Sequence, residues 1–145
     1  MQVTVRVRND VLAQLAAIAQ CGPRQECCGL LAGRDGAITR VLRAANAAQE
    51  KTRSYEIAPE ELFRLMREIR SEGLELMGIY HSHPNGNNEP SPRDIERAYY
   101  PDVAYFIVSP HSGAPQPVRA FAIRDGGATE LRIESAEGSG PLDAP

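Results

Sequence analysis

The sequence predicts an α/β or α+β domain in which helices flank a mixed β-sheet. Strand-like and helix-like segments follow one another without a linker, and several strands are joined in hairpins, which gives the sheet antiparallel neighbours. The length of 145 residues, with 42% hydrophobic and 24% charged residues, is typical of one globular domain. We expect a single domain over residues 1–135 and a loose Gly/Pro-rich tail over residues 136–145.

The N-terminal region predicts a strand followed by a helix. Residues 2–7, "QVTVRV", alternate between apolar and polar side chains, which is typical of a half-buried strand. Asn9 can cap a helix that ends near "CGP". Apolar residues recur along that helix at helical spacing: Val11, Leu12, Leu15, Ile18 and Ala19.

A hairpin and a second helix come next. "CCGLLAG" and "AITRVLRAANA" read as two buried strands, and the Asp35-Gly36 pair between them is a strong turn signal. The following helix has Pro59 in its first turn and Gly73 as its stop. Its apolar positions are Leu62, Phe63, Leu65, Met66 and Ile69.

The second half of the chain predicts more strands and one short helix. "LELMGIYHSH" is a strand that runs into a loop, and Ser91 and Pro92 suit the cap and first position of a helix. "VAYFIVS" is apolar enough for a central strand. "VRAFAIRDG" and "TELRIES" form a last hairpin.

Charge and cysteine content exclude several classes of function. The net charge is −3, the pI is near 5.6 and the arginines are scattered, so no nucleic-acid partner is expected. No apolar run is long enough for a membrane span or a signal peptide, which favours a cytosolic protein. Cys21, Cys27 and Cys28 are expected to be reduced thiols that fill space in the core.

Two of the three histidines stand one residue apart at the end of a strand. Side chains alternate across a strand, so His81 and His83 point the same way and can reach one ion, while Ser82 points away. Asp94, one turn into the short helix, can supply a carboxylate, and two His with one carboxylate is a common catalytic zinc set. By itself, Asp94 would be mostly structural, complementing the helix dipole or completing a cap, and a lone His-x-His is more often a solvated strand end.

These residues resemble the signature of a known family. "HSHP", six further residues and "SPRD" match the His-Ser/Thr-His-Pro-x6-Ser-x2-Asp signature of the JAMM (MPN+) zinc metalloproteases without a gap. "PRQECCGLLAG" is similar to the segment that carries the family glutamate in bacterial and archaeal members, which maps to Glu26. The resemblance covers nearly the whole chain apart from the tail. It implies an MPN/JAB1 fold, similar to that of cytidine deaminases.

The resemblance also implies roles for five residues. His81, His83 and Asp94 would bind Zn²⁺, and Glu26 would be the general base that takes a proton from water and delivers it to the leaving amine. The Ser91 hydroxyl would stabilise the developing oxyanion. The structural alternatives are an exposed charge for Glu26 and a plain helix cap for Ser91. His111 lies in a Gly/Pro-rich loop and is given no metal role.

The family implies a substrate class. Its members hydrolyse peptide or isopeptide bonds after the C-terminal Gly-Gly of ubiquitin or ubiquitin-like proteins. The short stretch between Tyr100 and Phe106 leaves no room for the insertions that hold ubiquitin chains in eukaryotic relatives. We therefore favour the compact bacterial type, which processes sulfur-carrier proteins and can release cysteine from them.

Other interpretations stay open at this stage. A non-catalytic MPN scaffold that only binds a partner is one, and a zinc peptidase for small peptides is another. A nucleobase deaminase is disfavoured because its H-x-E and P-C-x-x-C motifs are missing from the sequence. The ligand set also accepts iron or manganese. The sequence does not predict the oligomeric state.

Overall fold

A computed structural model describes residues 3–21, 26–52, 54–84, 87–109 and 116–137. His111 and most of the predicted tail lie outside the described residues. Strands and helices follow one another in the order β1 (Thr4–Arg8), α1 (Asn9–Cys21), β2 (Cys28–Arg34), β3 (Ala37–Ala44), α2 (Pro59–Ser71), β4 (Glu75–Ser82), α3 (Pro92–Glu96), β5 (Ala104–Val108), β6 (Val118–Arg124) and β7 (Gly127–Ala136).

All the described strands belong to one mixed sheet. Their order is β1-β3-β2-β4-β5-β6-β7, and β1 pairs in parallel with both β3 and β7, so the sheet closes on itself. The pairs β2–β3, β2–β4, β5–β6 and β6–β7 are antiparallel, whereas β4–β5 is parallel. The predicted mixed sheet flanked by helices is therefore confirmed.

Two hairpins turn through Asp-Gly pairs. Asp35 and Gly36 have φ angles of 55° and 79°, and Asp125 and Gly126 have 52° and 79°. Positive φ at both central residues is the mark of a type I′ turn, whose twist matches that of the flanking strands. This is why the sequence located both hairpins correctly.

The sheet has a buried apolar cluster on each face. The first combines α1 with β-strand residues such as Leu31, Tyr80 and Phe106. The second packs Leu65 and Ile69 of α2 against the strand side chains that point to the other face of the sheet. Among the described residues, no helix is long and apolar enough to cross a membrane.

Some side chains differ from the sequence interpretation. Phe63, expected on the apolar face of α2, is 65% exposed, and the guanidinium of Arg67 lies over its ring. Cys28 is buried as expected, and burial raises the pKa of its thiol to about 12. Cys27 is only partly buried, and both are free thiols. β7 ends at Ala136, one residue past the predicted domain boundary at 135. The boundary itself stays a prediction.

Candidate metal centre and active site

The pairing of β2 with β4 brings the predicted base to the predicted metal ligands. Cys28 lies opposite His81 in the antiparallel register, and continuing that register places residue 26 beside residue 83. Two hydrogen bonds extend the pairing beyond β2: the Ser82 amide donates to the Cys27 carbonyl at 2.9 Å, and the Cys27 amide donates to Ser82 Oγ at 2.8 Å. Ser82 thus points away from the histidines, as predicted, and fixes the approach of the Glu26 segment.

The two histidines share one face at the end of β4. Their Nε2 atoms are 3.0 Å apart, and the ring centroids are 4.8 Å apart. His83 lies just beyond the strand, where its amide donates to the carbonyl of Val108 at 2.9 Å. The alternation of side chains along the strand therefore continues through His83, so the two imidazoles lie on the same side and approach each other.

Asp94 meets both histidines from α3. Its Oδ1 lies 3.2 Å from His81 Nε2, and its Oδ2 lies 3.0 Å from His83 Nε2. A capping box holds the carboxylate: the Asp94 amide donates to Ser91 Oγ at 3.1 Å, and the Ser91 amide donates to Asp94 Oδ2 at 2.9 Å. Ser91 is thus the predicted helix cap, and its side chain stands next to the site.

The spacing of these ligand atoms fits a small tetrahedral metal ion. Nitrogen and oxygen ligands about 2.0 to 2.2 Å from zinc at tetrahedral angles lie roughly 3.3 to 3.6 Å from one another. The observed separations among the His81, His83 and Asp94 atoms are 3.0, 3.0 and 3.2 Å. A modest outward movement of each side chain would admit the ion.

Charges at the centre suit cation binding. Burial alone would raise the pKa of Asp94, but its hydrogen bonds with His81 and His83 outweigh this and hold that pKa well below its usual range. Burial lowers the pKa of His81, despite the opposing effect of Asp94, so this imidazole is neutral near pH 7. A metal site needs an ionised carboxylate and neutral imidazoles, because protonated groups cannot bind the ion. Asp94 and His81 meet this requirement. For His83, burial would lower the pKa, but the hydrogen bond and the charge of Asp94 outweigh this and raise it, so an ion has to displace the proton that Asp94 favours there.

Glu26 is buried beside the histidines instead of being an exposed charge. It is 5% exposed, and one of its carboxylate atoms lies with one nitrogen from each of His81 and His83 in a group no more than 4.8 Å across. Among the described residues its Oε1 has no hydrogen-bond partner. Burial raises the pKa of Glu26 to about 7, with His83 opposing the shift.

The same proximity would allow Glu26 to be a third ligand instead of a base. Asp94 is the better third ligand, since its oxygens are within 3.2 Å of both Nε2 atoms and its carboxylate is fully ionised. Glu26 lies in the same group of atoms, which is no more than 4.8 Å across, and has the raised pKa that suits proton transfer. The assignment of Asp94 as the ligand and Glu26 as the base, which the family resemblance implies, stays a prediction.

A cavity of about 420 Å³ opens beside Asp94. Its lining is rich in aromatic and apolar side chains with two arginines, and includes Tyr55, Ile57, Leu62, Arg93, Arg97 and Tyr99. A larger cavity, of about 630 Å³, is lined by residues of β6 and β7 together with Asn88 and Gln116, and by none of the predicted site residues. The smaller cavity is therefore the one that adjoins the candidate metal centre.

Sequence reasoning missed two residues near the centre, Tyr55 and Asn46. The Tyr55 ring stacks on His81, and Asn46 hydrogen-bonds the segments that carry Tyr55 and Glu26. Both residues lie in the connection between β3 and α2, which contains no periodic pattern or motif. No signal in the sequence alone could have identified them.

Comparison with known proteins relates the chain to a described family. A family model of prokaryotic homologues of the JAB domain matches residues 8–124. A desampylase from Haloferax volcanii is 36% identical over 112 residues, which is 76% of this chain and 81% of that protein. A CysO-cysteine peptidase from Mycobacterium tuberculosis is 29% identical over 133 residues, 90% of each chain. A probable TtuB-protein conjugate cleaving protease from Thermus thermophilus is 37% identical over 102 residues, 70% of this chain and 64% of that protein.

Solved structures show the same architecture. A protein from Desulfitobacterium hafniense has a TM-score of 0.79 at 28% identity, covering 92% of this chain and 94% of that one. A JAB1/MPN domain protein from Archaeoglobus fulgidus has a TM-score of 0.61 at 17% identity, covering 90% and 98%. At that lower identity the likeness concerns the fold, which is the one expected from the sequence motifs.

Proposed function

Because the chain belongs to the prokaryotic JAB family of JAMM (MPN+) metalloproteases, we propose that it is a zinc-dependent peptidase acting on ubiquitin-like or sulfur-carrier proteins. It would hydrolyse a peptide or isopeptide bond directly after their C-terminal Gly-Gly, in some substrates releasing cysteine. One observation carries the proposal: the ligand atoms of His81, His83 and Asp94 converge within 3.2 Å, with the buried Glu26 carboxylate beside them.

His81, His83 and Asp94 would hold the ion, and Glu26 would move the proton. When bound, zinc supplies Lewis acidity, which lowers the pKa of water and polarises the substrate carbonyl. Glu26 accepts the proton of the attacking water and then donates it to the amine that leaves, so one carboxylate serves both steps. Its burial favours this exchange, because a raised pKa leaves the carboxylate able to hold a proton at neutral pH.

Ser91 would stabilise the negative charge that develops on the carbonyl oxygen. Its Oγ already accepts a hydrogen bond from the Asp94 amide, so its own O–H remains able to donate. We expect Ser91→Ala to lower kcat by about 10² to 10³, the usual cost of losing an oxyanion donor. Ser91→Thr keeps both the cap and the hydroxyl and serves as the matched control in steady-state assays.

The stability of the Ser91 variants separates the two roles of the side chain. Loss of the cap costs about 1 kcal/mol of unfolding free energy and does not by itself slow chemistry at a temperature where the protein is folded. Unchanged kcat in a folded, zinc-loaded Ser91→Ala protein would leave Ser91 as a helix cap only.

The names of the relatives support the substrate class. One is a desampylase, one a protease for TtuB-protein conjugates and one a CysO-cysteine peptidase, and each matches this chain over 102 residues or more. The described connection between α3 and β5 is short, so the site has no large insertion from this side.

The test uses a ubiquitin-like carrier protein that carries extra residues after Gly-Gly, one version ending in a single cysteine. The zinc-loaded protein should remove the extension, and mass spectrometry should show a carrier ending in Gly-Gly. A carrier joined through its C-terminal Gly-Gly to a second protein by an isopeptide bond tests whether the protein cleaves that bond instead. An intact carrier, with zinc bound, would contradict the proposal: cleavage of short peptides alone would then indicate a small-peptide peptidase, and carrier binding without cleavage a scaffold.

A further inference from the structure

Tyr55 lies flat against one of the proposed zinc ligands. Its ring centroid is 4.4 Å from that of His81, and the two planes differ by only 19°. We propose that Tyr55, held in place by Asn46, is a positioning residue that fixes the orientation of the His81 imidazole. This inference rests on the proposed function in one respect, namely that His81 is a metal ligand.

The two histidines are held in different ways. The Nδ1 of His83 is 2.5 Å from the carbonyl oxygen of Asn87, so a hydrogen bond to the backbone orients this ring. The Nδ1 of His81 is buried and has no hydrogen-bond partner among the described residues. Metal-binding histidines usually donate this second N–H to an acceptor that fixes the ring. For His81, the stacked Tyr55 ring restricts the imidazole instead of such a hydrogen bond.

Stacking can fix the orientation of the His81 ring because the imidazole is enclosed by its neighbours. Its side chain is 1% exposed, so the imidazole has little room to rotate as long as its neighbours stay in position. A stacked aromatic pair is stabilised beyond the area that it buries. Removing the Tyr55 ring would open space along one whole face of the imidazole and let it turn away from Asp94.

Asn46 holds the two peptide groups on either side of Tyr55. Its Nδ2 donates to the carbonyl of Ser54 at 3.0 Å, and its Oδ1 accepts from the amide of Glu56 at 3.1 Å. The Ala47 amide adds a bond to the Glu56 carbonyl at 2.7 Å. The backbone at Tyr55 is thus fixed independently of the ring.

The same Asn46 side chain also supports the base. Its Nδ2 donates a second bond, at 3.0 Å, to the carbonyl of Glu26, and its Oδ1 accepts a second bond, at 2.9 Å, from the amide of Ala48. All four hydrogen-bonding positions of this amide are therefore used. One asparagine connects the segment of the base with the segment that orients His81.

The experiment compares metal retention in three variants. Tyr55→Leu removes the ring, Tyr55→Phe keeps it, and Tyr99→Leu removes a tyrosine that lines the same cavity but is 74% exposed. Each protein is loaded with zinc, mixed with excess chelator, and followed by the rate of zinc transfer. A parallel set loaded with Co²⁺ reports ligand geometry through its visible absorption spectrum.

We expect Tyr55→Leu to lose zinc faster than the wild type, in line with the loss of affinity, about 10- to 100-fold, that usually follows removal of a partner of a metal ligand. Its Co²⁺ spectrum should change, whereas Tyr55→Phe and Tyr99→Leu should match the wild type in both measurements. Equal retention in Tyr55→Leu and the wild type would overturn the proposal. A wild type that binds no metal would instead overturn the proposed function, so the two failures are distinct.

Asn46→Asp tests the support for Tyr55. The substitution keeps the size of the side chain but places an oxygen against the carbonyls of Glu26 and Ser54, where the amide now donates. If the variant folds by circular dichroism, its Co²⁺ spectrum should change in the same direction as that of Tyr55→Leu. A wild-type spectrum in a folded Asn46→Asp protein would remove Asn46 from the proposal and leave Tyr55 to be judged by its own variants.

Discussion

Replacing Glu26 by Gln is expected to leave one zinc ion bound and to reduce kcat at least about 10²-fold, the lower range for loss of a general acid–base group. Gln keeps the size and one oxygen of the side chain but cannot accept and return a proton. The three proposed ligand atoms, on His81, His83 and Asp94, are untouched by the change. Native mass spectrometry gives the zinc content, and initial rates on the extended carrier give kcat.

Glu96→Gln is the matched control for this prediction. Glu96 is an exposed carboxylate on α3, the helix that carries Asp94, so the same Glu-to-Gln change is made near the site without touching the proposed base. Its activity should stay within a factor of about two of the wild type, as expected for a surface substitution. Glu26→Gln activity above a few per cent of the wild type would remove Glu26 from the mechanism. Loss of zinc in Glu26→Gln would instead indicate that Glu26 is a ligand.

Replacing Asp94 by Asn is expected to remove zinc and activity together. The ionised carboxylate faces both imidazoles, and a neutral amide is a much weaker ligand for a divalent cation. Partners of metal ligands already cost about 10- to 100-fold in affinity when they are lost, so we expect more than about 100-fold for the ligand itself. The affinity is measured by competition with a chelator of known zinc affinity.

The fold of the Asp94→Asn protein should survive. The amide oxygen can still accept the hydrogen bond from the Ser91 amide, and the Asp94 amide that bonds Ser91 Oγ is part of the backbone. Circular dichroism should therefore match the wild type, and Asp102→Asn, at an exposed aspartate, should match it in zinc affinity as well. Tight zinc binding in the Asp94→Asn protein would show that Asp94 is not a ligand.

Local signals in the sequence were sufficient for most of the fold. The Asp-Gly pairs at 35–36 and 125–126 identify the hairpins because few other pairs of consecutive residues adopt positive φ at both positions. Pro59 and Gly73 bracket α2, which ends at Ser71 with Gly73 at a φ of 73°. The resemblance carried the rest, and the match over residues 8–124 confirms the family.

The arrangement of the site was predictable where it depends on the alternation of side chains along one strand and on the cap of one helix. His81 and His83 share a face because strand side chains alternate, and Ser91 and Asp94 are neighbours because they form a capping box. The approach of Glu26 follows from the β2–β4 pairing, which a single sequence does not reveal. Here the family resemblance supplied what local physics could not.

The features that the sequence did not reveal depend on long-range contacts. Closure of the sheet requires β1 and β7, at opposite ends of the chain, to pair in parallel. The stacking of Tyr55 on His81 joins residues 26 positions apart, and Asn46 connects two separate segments, at Glu26 and at Ser54. Exposure of Phe63 likewise follows from which side of α2 meets the sheet. Residue type and spacing do not encode any of these contacts.

The most direct test of the central claim is the metal content of the native protein after reconstitution with zinc. Native mass spectrometry of the wild type should show one zinc ion per chain, and a protein with both His81→Ala and His83→Ala should show none. That result would establish the site and justify a search for the carrier substrate. A folded wild-type protein without zinc, or a double variant that keeps it, would contradict the account.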